Sequence, residues 1–318
     1  VKKILPDEQK IELENGEQMP YSSLILATGS RFNKFGWKGQ DLKGVGGLFS
    51  YQDLQKMEEY TQNINKAVIV GGGLIGVEMA EMLLSRGISV TFLVREDRFW
   101  GNVLNPQEAK LIENHLRKHH VDLRLENELE EIIGNENGRV KAVLTKSGEI
   151  ISCEWVGLTA GVSPNINLVK NTSIAHERGI LVNEFLETNC NGIYAIGDCA
   201  QHIQAPNGRP PVEQVWYTGK IMGETVAKTI CGNPTTYQPG NWFNSAKFFD
   251  IEYQTYGWAK PVLSPNQSSF YWQHPTKEIA IRFVFDTESK IFVGVNVFGW
   301  RLRHDLMDRY LSEKRTVE

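Results

Sequence analysis

Apolar positions fall into two styles along the chain. From Lys66 they run unbroken over residues 67–70, recur at helical spacing over residues 74–86, and return at Val90 and Phe92 to Val94 within residues 89–94. This pattern predicts strand, glycine turn, helix and strand, which is a βαβ unit. A second helix is predicted over residues 106–119, with Ala109, Ile112 and Leu116 on one face, and strands at 121–125, 140–145 and 154–158 extend the sheet to about Gly161. Upstream, residues 10–13 and 19–28 flank Glu14-Asn15-Gly16-Glu17, where Asn-Gly suits a tight hairpin turn. Leu24-Ile25-Leu26-Ala27 is continuously apolar, as a strand covered on both faces is. Residues 31–47 read as a connection and 51–60 as a short helix, and a strand at 192–196 precedes a helix at 213–229. After Gly240 the pattern alternates: Ile251, Tyr253 and Thr255; Ile281, Phe283 and Phe285; Ile291, Val293, Val295 and Val297. That is the mark of a separate antiparallel domain. Leu302, Leu306, Tyr310 and Leu311 then form the apolar stripe of a terminal helix.

Composition narrows the class. A chain of 318 residues suits two or three domains, and 41% hydrophobic with 23% charged residues is the balance of a globular protein. The net charge of -4, with Lys and Arg dispersed, offers no basic stripe, so nucleic acid is not an expected partner. The longest apolar stretch, residues 67–77, is broken by glycines and falls well short of the roughly 18 residues a membrane span needs. Cys153, Cys190, Cys199 and Cys231 show neither C-x-x-C nor metal-ligand spacing, and four free thiols fit a reducing cytoplasm. Cys199 is expected to serve packing.

Gly71, Gly73 and Gly76 form G-x-G-x-x-G directly after a strand and at the opening of a helix. In that context the first glycine permits the turn, the second lets backbone approach a pyrophosphate, and the third lets the helix pack on the strand. The helix start, with Leu74 and Ile75, turns free N–H groups and a positive dipole end toward phosphate. In such folds the end of the second strand reads the adenosine ribose, an acid favouring NAD and an arginine the NADP phosphate. Here it reads Val94-Arg95-Glu96, which leans toward NADPH through Arg95, with Arg98 as an assistant; the alternative is a solvated Arg95 with Glu96 on the ribose.

Taken in order, the motifs resemble the pyridine nucleotide-disulfide oxidoreductase superfamily over nearly the whole chain. Leu24 to Ser30, with Ala27, Thr28 and Gly29 at its turn, resembles the second FAD signature, and Gly71 to Glu78 the nicotinamide fingerprint. Thr188 followed by Gly192-Ile193-Tyr194-Ala195-Ile196-Gly197-Asp198-Cys199 resembles the third. The resemblance implies that Asp198, after Gly197, accepts a hydrogen bond from the FAD ribityl chain. It implies that Gly161 closes the NAD domain near the cofactor, and that Glu213, Gln214, Val215 and Trp216 open a helix aimed at the flavin ring. Glu78, reaching inward, is expected near the nicotinamide; the bland alternatives are a helix-surface Glu78 and a core Trp216.

The implied fold is α/β: two dinucleotide-binding Rossmann-like domains, with an NAD(P) domain (33–161) inserted in a split FAD domain (1–32 and 162–239), plus a C-terminal antiparallel α+β domain (240–318). The FAD domain is expected to be truncated at its N-terminus, because the family's other glycine turn, for FAD, precedes the hairpin. A start inside a longer protein is thus expected, with FAD held poorly by this chain alone and any redox-active cysteine pair upstream. The implied activity is hydride transfer from NAD(P)H to FAD, with electrons passed to a rubredoxin, ferredoxin or nitrite-reductase-type centre. An NAD(P)H oxidase or coenzyme A disulfide reductase, and a non-catalytic NAD(P)H sensor, are the alternatives. No acid–base triad is expected, and homo-oligomerisation is left open.

Overall fold

The computed structural model describes residues 1–318, apart from the side chain of Asn207. Its α-helices are α1 (Tyr51–Tyr60), α2 (Leu74–Leu84), α3 (Pro106–Lys118), α4 (Trp216–Ile230) and α5 (His304–Ser312). Two compact units form: Val1–Arg31 with Val162–Gly240, and Phe32–Gly161 with Asn241–Glu318. No helix among the described residues is long and apolar enough to cross a membrane.

The second unit is built on a parallel sheet in the order Val45–Gly46, Trp155–Leu158, Lys66–Val70, Ser89–Leu93, Asp122–Arg124. Its central strands are buried on both faces, as their unbroken apolar runs require. Val77, Met79, Ala80 and Leu83 seat α2 against this sheet, and Ala109, Ile112 and Leu116 seat α3 in the same core. Asn105 begins α3 with a capping box: its side chain accepts from Glu108 N–H, and the Glu108 carboxylate accepts from Asn105 N–H.

Residues 140–145 do not extend the parallel sheet. Asn135 Oδ1 accepts from the N–H groups of Asn137 and Arg139, and Gly138 at φ 70 closes a tight turn, so the chain doubles back. Leu129–Gly134, Val140–Thr145 and Ile150–Ser152 therefore form their own antiparallel sheet.

The C-terminal strands form an antiparallel sheet in the order Phe243–Phe248, Ile251–Gly257, Phe292–Phe298, Ala280–Asp286, Gln267–Gln273. Phe248, Tyr253 and Phe298 of this sheet share one core with Phe92, Phe99 and α3. A buried polar knot joins the two parts, with Arg282 Nε donating to Glu108 Oε1 at 2.7 Å and Asn296 Nδ2 to the same oxygen at 3.0 Å. The remaining guanidinium N–H groups reach the carbonyls of Ala259 and Lys260, so the buried ions are hydrogen-bonded as well as paired.

In the first unit Lys3–Leu5, Lys10–Glu12 and Gln18–Pro20 form a meander whose turn places Gly16 at φ 85. Leu24–Leu26 pairs in parallel with Ile193–Ala195, and Ile180–Val182 with Ala200–His202. Met222 and Val226 of α4 pack with Leu26, Ile193 and Ala195. Two expectations change here. Leu24–Leu26 is covered on one face only, with Leu26 buried and Ile25 exposed, where cover on both faces was expected. The helix expected from residue 213 starts at Trp216, because 213–215 run extended and Val215 at φ -135 is its N-cap.

Candidate functional site

The glycine turn lies between Lys66–Val70 and α2, and its glycines have separable jobs. Gly71 sits at φ 115, where an added Cβ would meet the backbone of Thr159 and Ala160 at 2.7 Å. Both conformation and space thus demand glycine. Gly76 faces Phe92, whose ring an added Cβ would meet at 2.7 Å, so it sets the approach of helix to sheet. Thr159 pins the turn, its hydroxyl donating to the carbonyls of Val70 and Gly71.

Gly73 is different. It holds φ -123 and ψ -179, extended backbone open to any L-residue, and an added Cβ would meet nothing within 4 Å. The fold itself does not need glycine here. Gly73 is also the N-cap of α2 without a side-chain cap, and the first turn carries no acid. The leading N–H groups, at Leu74 and Ile75, lack intrahelical partners and meet no negative charge of the helix's own.

Beyond the second strand, Val94 is buried and cannot read a ribose, while Arg95 is exposed and touches only the neighbouring Glu96, at 3.0 Å. Arg98 donates to Asp97 and to the Gly101 carbonyl and is the less exposed of the two arginines. Glu78 lies on α2 between the buried Val77 and Met79, with its side chain accessible. Desolvation, with the charge of Glu81, raises its carboxyl above the ordinary range. Gly161 takes φ 91 after Trp155–Leu158, and its carbonyl accepts from Asn33 N–H.

In the first unit the structure gathers Thr28, Gly29, Ser30, Asp198 and Gln214. The turn after Leu24–Leu26 is fastened by Asn165: Thr28 Oγ1 donates to its carbonyl at 2.6 Å, and its N–H donates to the Gly29 carbonyl at 2.8 Å. Ala27 lies at the head of this turn. Gln214 Nε2 donates to Ser30 Oγ at 2.5 Å, which donates to Asp198 Oδ2 at 3.0 Å. This relay fixes one carboxylate oxygen of Asp198. Desolvation raises the Asp198 carboxyl above the ordinary range, opposed by the Ser30 hydrogen bond. Gly197 takes φ 68, which lets the short helical turn Gly197–Cys199 begin directly after the strand. That turn packs against α4, whose N-terminus has no side-chain cap and no acid in its first turn.

Glu213 has another role than expected. Its buried carboxylate lies 3.0 Å from Arg209 Nη1, and Arg209 also donates to the carbonyls of Pro239 and Gly240. The Glu213 side chain is thus held by Arg209. Trp216 is 71% exposed and is not core. Ser30 and Asn165 were not singled out from sequence as site residues, and only the short distance of Ser30 from Ala27-Thr28-Gly29 would have signalled either.

The family model described as pyridine nucleotide-disulphide oxidoreductase matches residues 1–219. The chain is 33% identical over 222 residues to nitrite reductase [NAD(P)H] of Bacillus subtilis (strain 168), covering 70% of this chain and 27% of that protein. It is 29% identical over 259 residues to a ferredoxin–NAD(P)(+) reductase of Sphingomonas sp, covering 81% of this chain and 62% of that protein. Among solved structures, an NAD-dependent persulfide reductase from A. fulgidus superimposes with a TM-score of 0.85 at 22% identity, over 99% of this chain and 61% of that one. This last likeness shows the fold alone. The chain therefore spans about a quarter and under two thirds of the lengths of the two curated relatives.

Proposed function

The chain belongs to the pyridine nucleotide-disulphide oxidoreductase family, and on that premise we propose that it carries hydride from NAD(P)H to FAD for delivery to a small electron-carrier protein. Gly73 carries the reading: the fold leaves this glycine free of steric demand, so its missing side chain serves whatever approaches the turn. A pyrophosphate fits that place, since uncapped N–H groups and the positive end of α2 face it without an opposing acid. Arg95 would meet a 2'-phosphate, which favours NADPH over NADH. Glu78, one turn into α2, would stand toward the nicotinamide end, and Gly161 would let backbone pass close to it.

The residues of the first unit suit FAD. Asp198 has one oxygen held by Ser30 and keeps the other for a ribityl hydroxyl. The start of α4, at Val215 and Trp216, offers unpaired N–H groups and a positive dipole end to a negatively charged ring edge. FAD, when bound, supplies the acceptance of hydride and its release as electrons. The chain's own part is to seat phosphates at Gly71–Gly76, hold a hydroxyl at Asp198, and keep both nucleotides in place.

Turnover with an artificial acceptor tests the proposal. The flavin-loaded protein should oxidise NAD(P)H steadily with ferricyanide, and Gly73→Val should abolish this with flavin retained. Binding of NAD(P)H without turnover would instead favour a nucleotide sensor.

A further inference from the structure

On α3, in a part of the second unit that the nucleotide reading does not use, His115 and His119 lie one turn apart and present their rings to the same side. Facing them is Asp250, in the turn that joins Phe243–Phe248 to Ile251–Gly257. Asp250 Oδ1 lies 2.7 Å from His115 Nε2 and 3.0 Å from His119 Nε2. One donor atom from each of the three side chains lies within 4.8 Å of the others. We propose that these three side chains form a site for a zinc-class divalent ion that ties α3 to the C-terminal hairpin.

Several independent observations support the site. His115 has only 5% of its side chain exposed, yet neither ring nitrogen has a hydrogen-bond partner among the described residues. Nε2 has Asp250 Oδ1 at 2.7 Å, while Nδ1 has no such neighbour, and a buried polar atom left unpaired is costly.

The ring of His119 is held in place. Phe249 stacks on it at 4.5 Å with an interplanar angle of 9°, and takes φ 56 as the first central residue of the two-residue turn between Phe248 and Ile251. Lys118, beside the site, pairs with Glu278, whose charge also reaches His115.

Two imidazoles and one carboxylate are a donor set used for zinc, and three protein ligands leave a position for water. Ligands on one tetrahedral zinc stand about 3.3 Å apart, as bond lengths of about 2.0 Å imply. The separations to Asp250 Oδ1 need open by only a few tenths of an ångström to reach this. Asp250, with 75% of its side chain exposed, can make that movement and gives the ion a route in from solvent.

The test uses the untagged chain, stripped with a chelator and titrated with ZnCl2 by calorimetry and with cobalt(II) by visible absorption. The expected result is one saturable site per chain, with tetrahedral-type cobalt bands and a melting temperature that rises with zinc. His119→Ala and Asp250→Asn alter partly exposed side chains and should fold. Each should weaken zinc by more than about 100-fold, beyond what loss of an outer partner costs, and cancel the melting shift. His115→Ala should do the same, with NAD(P)H binding as its check of folding. No stoichiometric zinc binding, or equal binding by His119→Ala and Asp250→Asn, would overturn the proposal and leave an ion-free His–Asp–His contact.

Discussion

Replacing Gly73 by alanine separates what the fold requires from what a ligand requires. The residue is already at φ -123 and ψ -179, and the new Cβ meets nothing within 4 Å, so no atom of the protein has to move. Alanine is a poorer N-cap than glycine by up to about 1 kcal/mol. A less flexible unfolded chain offsets this by about 0.4–1 kcal/mol. Net stability should change by less than about 1 kcal/mol, or a few degrees of melting temperature. Binding should change much more. A methyl group at the point of closest approach displaces the pyrophosphate from the N–H groups of α2. Each charge-assisted hydrogen bond lost is worth about 1.5–3 kcal/mol, so affinity should fall roughly 10- to 150-fold. Isothermal titration with NADPH and NADH, beside a thermal melt, reads both quantities. Gly76→Ala is the contrasting control, since its Cβ meets the Phe92 ring at 2.7 Å and should cost about 1–3 kcal/mol of stability. Should Gly73→Ala, and Gly73→Val with it, bind both nucleotides within about threefold of wild type, the phosphates do not sit at this turn.

Arg95→Ala should lower NADPH affinity roughly tenfold or more while sparing NADH, as loss of one charge-assisted contact implies; equal losses for both would assign the ribose to another residue. Asp198→Asn should weaken FAD binding relative to wild type, read as a higher dissociation constant in a flavin-fluorescence titration. The raised carboxyl pKa of Asp198 means that its stabilising contribution is full below the unfolded pKa and is lost as pH rises through the folded one. Asp198→Asn should therefore melt no lower than wild type at neutral pH without flavin, and a marked drop would make Asp198 a structural residue. Glu108→Ala strands Arg282 in the core and should cost about 3–5 kcal/mol in urea unfolding, whereas a loss under about 1 kcal/mol would mean that water replaces the pair.

Local patterns foretold local structure. The run around 67–70, the glycine turn and the periodic stretch after it appear as Lys66–Val70 and α2, because those elements follow from short-range periodicity and from backbone demands at Gly71. Helix α1 occupies the expected residues, started by the capping box between Ser50 and Asp53. Partnerships across the chain were less legible. Nothing near Glu108 foretells Arg282, which lies 174 residues away, and nothing near Ser30 foretells Asp198, 168 residues away. Glu213 looked like a helix-opening residue until Arg209, four positions earlier, was seen to bury it. The strands Phe243–Phe248 and Gln267–Gln273 escaped notice because polar residues interrupt the first and the second is a largely exposed edge. His115 and His119 showed helical spacing, but Asp250 joins them only through the packing of the C-terminal hairpin.

The central claim, that this chain serves hydride transfer between a nicotinamide nucleotide and a flavin, is tested most directly by a single turnover without oxygen. The flavin-loaded protein is mixed with NADPH or NADH in a stopped-flow instrument, and the loss of oxidised-flavin absorbance is followed. The account predicts stoichiometric bleaching by both nucleotides, faster with NADPH at limiting concentration, and strongly slowed in Gly73→Val with its flavin still bound. Bound flavin that stays oxidised in the presence of saturating NADPH and NADH would contradict it.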